Sequence, residues 1–521
     1  MKRIAFTLLL AAAVACSAEH SPDMVEQSYP EVEHGMIVLG EQLEDPYSVE
    51  NVTKALASLY PTKAGTTVST THLYVRFLPK DEAQLDTLQN RGLEMMDHPM
   101  DFSIVREGDY YHDPEVDEGD ITWQYAVVPP DFEFPEGIKY EILDRCHIAE
   151  QPLATRSDDG IDWEAVEREA FRLTGNSHML EETRAGESSS STPEGRITIV
   201  DSMKGGEPIG VAGVKVSCNV FVKTAHAFTD ADGYYKMNTA FNTRPRYRLV
   251  FKNKRGFGIG LNLILCPASV STLGRQPESG YSITVDDSSD RALFRRCAVN
   301  NAAWDYYAQC TSDSGSINEP PSNVRIWLCD LLKCSSAVMF QQGVMLDGSM
   351  VESYLGKYYP LVKMILPDIT LGLKDCPDYA SIYATTVHEL AHASHYMQVG
   401  NNWWKTLEEY ILKSFLSSGF VAYGVGTEEN HGYCEVAEMW AYYMQTRLFR
   451  ERYPDSETAF GTSFWFHPQV FNYMDGHGLT CYLTFNALTA DVCDKNALRD
   501  KLLRLYPDAK SIIYSAFDSY K

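Results

Sequence analysis

His388-Glu389-Leu390-Ala391-His392 is the stretch of this 521-residue chain whose residue types and spacing can do chemistry by themselves. On a helix, residues four apart lie one above the other, so the two imidazoles can close on a single Zn²⁺. Glu389 between them can then reach a water on the metal and act as general base, since the metal lowers that water's pKa. Two histidines do not complete a catalytic zinc site; a third protein ligand and an open position for water are needed.

The run that follows, with Ser394 and His395, lacks the glycine turn by which one class of such sites supplies its third ligand. A later segment, HGYCEVAEMWAYYMQTR, offers Glu435 and Glu438, which are 43 and 46 residues beyond His392. They are three apart, so both can face inward from one helix. Their Trp, Tyr and Met neighbours would bury a carboxylate that has little reason to be buried without a metal. Glu435, near the helix start and just after Gly432, is the preferred third ligand. Glu438 is the alternative, or else the base that fixes an imidazole's second nitrogen. His395 lies on the same face as His392 and reads as a cleft-lining histidine, a partner of Glu438, or a satisfied core residue. An oxyanion donor is expected from His431 or Tyr433, with Tyr423, His467 and His477 as weaker candidates.

The elements that must position these groups can be read along the chain. Residues 379–400 carry a long helical pattern ending at Gly400, a suitable C-cap. Residues 402–415, 434–450 and the stretch DKNALRDKLLRLYP read as further helices, as does ALFRRCAVNNAAWDYYAQC. Residues 323–328 read as a strand, LPDITLGL as the strand or loop before the HExxH helix, and residues 354–364 cannot be typed. Earlier, GRITIVD, GVKVSCNV, HAFTDADGYYKM and RYRLVFKN read as short strands between Gly/Pro turns, with Asp230-Ala231-Asp232-Gly233 as a hairpin turn. In the first third, THLYVRFLPK, WQYAVV and KYEIL read as strands. Helices are expected at 52–60, at 162–174 and after a capping Asp81.

Composition bounds the function. A formal charge of −26 disfavours nucleic acid and anionic membrane surfaces as partners, and 44% hydrophobic residues argue for folded domains. Lys2, Arg3 and the apolar run 4–15 read as a secretory signal, too short to span a bilayer. Ala13-Val14-Ala15-Cys16 resembles the lipobox of bacterial lipoproteins, which implies acylation of Cys16 and an exported protein anchored to the bacterial outer membrane by lipid. The other eleven cysteines fit no zinc-finger spacing, and export permits disulfides among them.

Two further resemblances organise the whole. VAGVKVSC…AFTDADGYYKM resembles the carboxypeptidase-regulatory-like module, which implies an Ig/transthyretin-like β-sandwich with a structural or docking role. The HExxH together with a glutamate on a later helix resembles the gluzincins, and the chain as a whole looks like a metallopeptidase lipoprotein of Bacteroidetes type. The expected multidomain order is a signal with lipobox (1–16), a tether (17–70), a small α+β domain (71–180) and a linker (181–193). A β-sandwich (194–270) and a mostly helical α+β zincin catalytic domain (287–521) complete it. The expected activity is hydrolysis of peptide bonds in a protein, peptide or glycoprotein substrate, with Zn²⁺ as the cofactor. Two alternatives stay open: a catalytically inactive zincin fold that binds a protein or glycan, and a zinc hydrolase of a non-peptide amide.

Overall fold

The computed structural model describes residues 36–520 except 64, 118–119, 150–159, 181–189, 261–267, 313–314, 331–332, 334, 345–366 and 418–422. The signal segment with Cys16, most of the linker and residues 354–364 lie outside the described residues. What is described is a mixed α/β architecture: several sheets, then a helix-rich C-terminal region.

The first third holds β1 (Val38–Gln42), α1 (Val49–Leu59), β2 (His72–Leu78), α2 (Glu82–Gln89), β3 (Phe102–Arg106), β4 (Gln124–Val128), β5 (Lys139–Cys146) and α3 (Trp163–Leu173). β2 lies at the centre of an antiparallel sheet ordered β4-β2-β5, because Leu73, Tyr74, Val75 and Phe77 give it apolar side chains on both faces. The helix starts follow local chemistry. Asp81 accepts from Gln84 N at 2.9 Å, and Asp162 accepts from Ala165 N at 3.1 Å.

The middle third holds the strands β6 (Glu194–Val200), β7 (Pro208–Gly210), β8 (Lys215–Val220), β9 (Lys223–Phe228), β10 (Tyr234–Lys236), β11 (Arg246–Val250), β12 (Gly258–Ile259), β13 (Val270–Arg275) and β14 (Ile283–Val285). One sheet runs β10-β6-β14 with β7 also on β6, and a second runs β13-β11-β8-β9. Ile197, Ile199 and Tyr235 of the first sheet share a core with Val216, Cys218, Tyr247 and Leu249 of the second. The turn before β10 needs Gly233 at a φ of 76°, where a Cβ would meet Ile197 O at 2.1 Å. Asp230 spends its Oδ1 on Asp232 N and Tyr234 N, both at 2.9 Å, which is turn chemistry rather than ion binding.

The last part contains α4 (Arg291–Gln309), β15 (Arg325–Cys329), β16 (Ile369–Gly372), α5 (Tyr379–Val399), α6 (Asn401–Ser417), α7 (His431–Arg452), α8 (Gln469–Gly476), α9 (Cys481–Phe485), α10 (Lys495–Leu505) and α11 (Lys510–Ser519). α5 is buried on almost every side and packs against α4, α6 and α7. β15 and β16 pair in parallel with each other, and β15 pairs in parallel with β12 from the middle third. The β region is also stitched to the helices by side chains. Asn301 donates to Gly210 O at 2.7 Å and Asn300 to Ala212 O at 2.8 Å. Arg452 at the end of α7 bonds Asp201 at 2.9 Å and Asp305 at 3.0 Å, with its guanidinium 4.6 Å from the Tyr379 ring and 4.9 Å from the Tyr383 ring of α5.

Cys146, Cys218, Cys297, Cys310, Cys376, Cys434, Cys481 and Cys493 carry free thiols, all but the last fully buried. No helix of the described residues is long and apolar enough to cross a membrane.

Candidate metal centre

α5 begins with a reciprocal cap. Asp378 accepts from Ser381 N at 2.8 Å while the Ser381 hydroxyl returns to the cap residue. From that start the helix carries His388 and His392 to the middle of the bundle, opposite α7. There Glu438 faces both imidazoles: Oε2 lies 3.4 Å from His388 Nε2 and Oε1 lies 3.3 Å from His392 Nε2. Ligand-type atoms of the three residues all fall within 4.8 Å of one another. His388, Glu389, His392 and Glu438 are between 0 and 3% exposed.

The acid beside the imidazoles is therefore Glu438. Glu435, the preferred ligand from sequence, sits elsewhere: its Oε2 accepts Lys495 N at 3.1 Å and its Oε1 lies 3.4 Å from Lys495 Nζ. It serves the junction between the start of α7 and the start of α10. Gly432 permits that junction, since a Cβ there would meet Cys493 O at 2.3 Å.

The other candidates are placed as follows. His395 is buried with its ring 4.8 Å from Trp403 and 5.7 Å from Trp404, and neither ring nitrogen has a hydrogen bond. The expected bond from His395 to Glu438 is not formed. Burial, then the neighbouring His392, pushes the His395 imidazole down to about 3, so it stays neutral. His431 opens α7 with Nδ1 2.8 Å from Glu428 O and its ring 5.8 Å from Trp465. The Tyr433 ring lies 4.9 Å from Trp403. His477 stacks on Tyr473 at 4.0 Å. Tyr423 shares a hydroxyl contact of 3.0 Å with Tyr442, and it does so at a φ of 64°, a region that bulky residues rarely adopt.

Three residues were not singled out by sequence. Gln445, two turns past Glu438 on α7, places Oε1 3.1 Å from His388 Nδ1. A carbonyl oxygen only accepts, so Nδ1 carries the proton and Nε2 keeps its lone pair for Glu438's side of the site. Tyr442, one turn past Glu438, lays its ring 4.4 Å from that of His388. Glu408 of α6 is a third buried carboxyl near Glu389 and Glu438. The spacings of four and seven from Glu438 mark Tyr442 and Gln445 as one helical stripe, a signal that was available in the sequence.

The electrostatics fit a cation. Burial raises the cost of ionising Glu438, but His392 and His388 outweigh it and hold its carboxyl well below the usual range. Burial, then the charges of Glu438 and Glu408, pushes Glu389 well above its usual value. His388 is lowered, by burial first. His388 Nε2, both ring nitrogens of His392 and Glu389 Oε2 are buried with no hydrogen bond. Each such atom costs about 1–3 kcal/mol unless something repays it. Two imidazoles and one carboxylate on facing helices are the His₂Glu donor set of a three-ligand zinc site, which leaves one position open. The residues present can hold a metal ion such as Zn²⁺.

No protein-family model matches this chain, and no curated protein sequence matches it. The chemistry of the cluster is what speaks to function.

Proposed function

We propose that the protein is a zinc-dependent peptidase whose metal is held by His388, His392 and Glu438. The observation that carries this reading is Glu389. It is buried beside three convergent ligand groups, and its Oε2 has no hydrogen bond. A purely structural metal site has no use for such a carboxyl. A zinc ion there would polarise a carbonyl oxygen and acidify a water. Glu389 takes the proton of the attacking water and delivers it to the leaving amine, the general acid–base role that suits a carboxyl already pushed upward. Gln445 holds His388 in the tautomer that offers Nε2. A donor to the developing oxyanion is sought on α7 among His431, Tyr433 and Tyr442.

The test is zinc content and peptide turnover in wild type and Glu389→Gln. Stoichiometric zinc in both, with turnover reduced on the order of 10³-fold in the variant, is expected. Zinc without Glu389-dependent hydrolysis would sink the peptidase and leave the binding protein or the hydrolase of a non-peptide amide. The gluzincin likeness, the β-sandwich module and the lipid anchor at Cys16 belong to the same proposal. They are supported by the motifs in the sequence. Labelling with radioactive palmitate that persists in Cys16→Ser would remove the anchor.

A further inference from the structure

A second group of polar side chains lies away from the helices, on the sheet ordered β13-β11-β8-β9. Arg246 of β11 is directly opposite Asn219 of β8 on one side and Arg275 of β13 on the other. Residues opposite one another on neighbouring strands project from the same face, so the three form one row across the sheet. All three line a cavity between this sheet and the N-terminal third, whose other wall includes Leu43, His98, Met100, Phe102 and Ile104. Room for water-sized groups in it is about 20 Å³, and the space reaches about 370 Å³ when its open mouth is counted. The inner end therefore takes a small head group, and the body of a ligand lies in the mouth.

The row is unfavourable by itself. Like charges directly opposite one another in an antiparallel pair repel, and Arg246 is only 4% exposed. Among the described contacts one carboxylate bonds to the pair: Glu107 Oε2 accepts Arg246 Nε at 2.9 Å and Nη2 at 2.7 Å. Arg246 Nη1 meets His98 Nε2 at 3.5 Å, the outer limit of a hydrogen bond. His98 adds no charge, since its Nδ1 donates to Asp97 Oδ1 at 2.9 Å and burial holds the imidazole below its usual value. Arg275 Nη1 donates to a backbone carbonyl, Arg244 O, at 3.1 Å. Two guanidiniums and one carboxylate leave one positive charge at the cavity. Asn219 donates from Nδ2 to Phe221 O at 3.2 Å, which fixes the amide, and its Oδ1 is buried with no hydrogen bond. The row thus offers a charge for a monoanion and, one strand spacing of about 5 Å away, an acceptor for an N–H or O–H.

We infer that this cavity binds an organic monocarboxylate, with the carboxylate between Arg246 and Arg275 and a neighbouring N–H or O–H on Asn219 Oδ1. One net charge and the apolar walls of Met100, Phe102 and Ile104 favour such an acid over a doubly charged, strongly hydrated phosphate. Two sources share this chemistry, the carboxyl end of a peptide chain and a free N-acylated amino acid or hydroxy acid. The site is separate from the candidate metal centre and does not depend on the peptidase reading.

The experiment is calorimetry on the full chain, wild type against Arg275→Gln, so that any carboxylate taken up elsewhere is common to both. The wild type is expected to bind N-acetyl-leucine at least tenfold tighter than N-acetyl-leucine amide, which lacks the charge. It should also prefer N-acetyl-leucine about fivefold over isocaproate, which lacks the N–H. Arg275→Gln should weaken N-acetyl-leucine at least tenfold and Arg275→Lys only a few-fold, while Asn219→Leu should bring it down to the level of isocaproate. An acetylated tripeptide ending in leucine, tested in Glu389→Gln so that no turnover enters, separates the sources. Binding that is lost on amidation of its carboxyl end assigns the cavity to chain ends, and binding of N-acetyl-leucine without the tripeptide assigns it to free acids. Equal binding of acid and amide, unchanged binding in Arg275→Gln, inorganic phosphate bound in place of the carboxylates, or no binding at all overturns the inference. Ligand-free Arg275→Gln is expected to unfold no lower than the wild type, because a like-charge pair is relieved. Should it unfold lower, Asn219→Leu decides: loss of the preference for N-acetyl-leucine over isocaproate supports the site, and its retention overturns it.

Discussion

Two places among the described residues bring three ligand-type side chains within 4.8 Å of one another: His388, His392 and Glu438 between α5 and α7, and Asp45, Asp144 and Cys146 in the N-terminal third. By proximity they are equals. They differ in what their lone pairs are already doing. Asp45 Oδ1 accepts Tyr47 N at 2.9 Å, its Oδ2 faces the Cys146 thiol at 3.9 Å, and Asp144 Oδ1 accepts Arg145 N at 2.7 Å. Burial, then the charges of Asp45 and Asp144, pushes the Cys146 thiol far up, so it remains a protonated donor and not a thiolate ligand. Between α5 and α7, His388 Nε2 and both nitrogens of His392 are buried with no hydrogen bond. Nearness makes a cluster; lone pairs free of hydrogen bonds are what let one take a metal.

The comparison can be broken most decisively at Glu438. Glu438→Gln should weaken zinc by well over ~10²-fold in competition with a chelator, more than loss of an outer-shell partner costs. Glu435→Gln should leave zinc in place and cost at most about 1 kcal/mol in unfolding experiments, since its partner Lys495 is partly exposed. The opposite ranking would return Glu435 to the metal. A smaller effect is expected at Gln445. Gln445→Leu should weaken zinc by about 10–100-fold by freeing the His388 tautomer. An unchanged affinity would mean that packing against Tyr442 alone orients the ring.

The N-terminal cluster supplies the smallest effect and the control. Burial raises Asp45 from 3.8 to about 7. Between those values only the folded state holds the proton, so stability should fall as pH rises through that window. Asp45→Asn should flatten this slope, gain on the order of 1–4 kcal/mol above pH 7, and leave zinc content untouched. A loss of metal in that variant would make the two clusters functional equals after all.

Much of this was legible in the sequence because local chemistry decided it. The HExxH helix, its Gly400 end, the Asp81 and Asp162 caps and the strands around Gly233 all follow from spacing and turn residues. The choice between Glu435 and Glu438 did not, because residues three apart differ by only about 60° around a helix. What separates them is Lys495, sixty residues later, whose backbone and ammonium claim Glu435. His395 failed for a related reason. Its face was readable, but the two tryptophans of α6 that enclose it depend on how sharply the chain turns at Gly400. Glu408 was hidden in a helix that reads as amphipathic, where one acid among apolar residues looks like part of the wet face.

The stitching between the β region and the helices bears on where the chain can be cut. A fragment starting at 287 would lose β12 from the edge of β15, the carbonyls that hold Asn300 and Asn301, and the Asp201 carboxylate under Arg452. Arg452 lies against Tyr379 and Tyr383 at the start of the helix that carries the histidines. The strands are therefore the abutment against which the two helices carrying His388, His392 and Glu438 are braced. An expression fragment meant to keep the centre intact should begin upstream of Glu194.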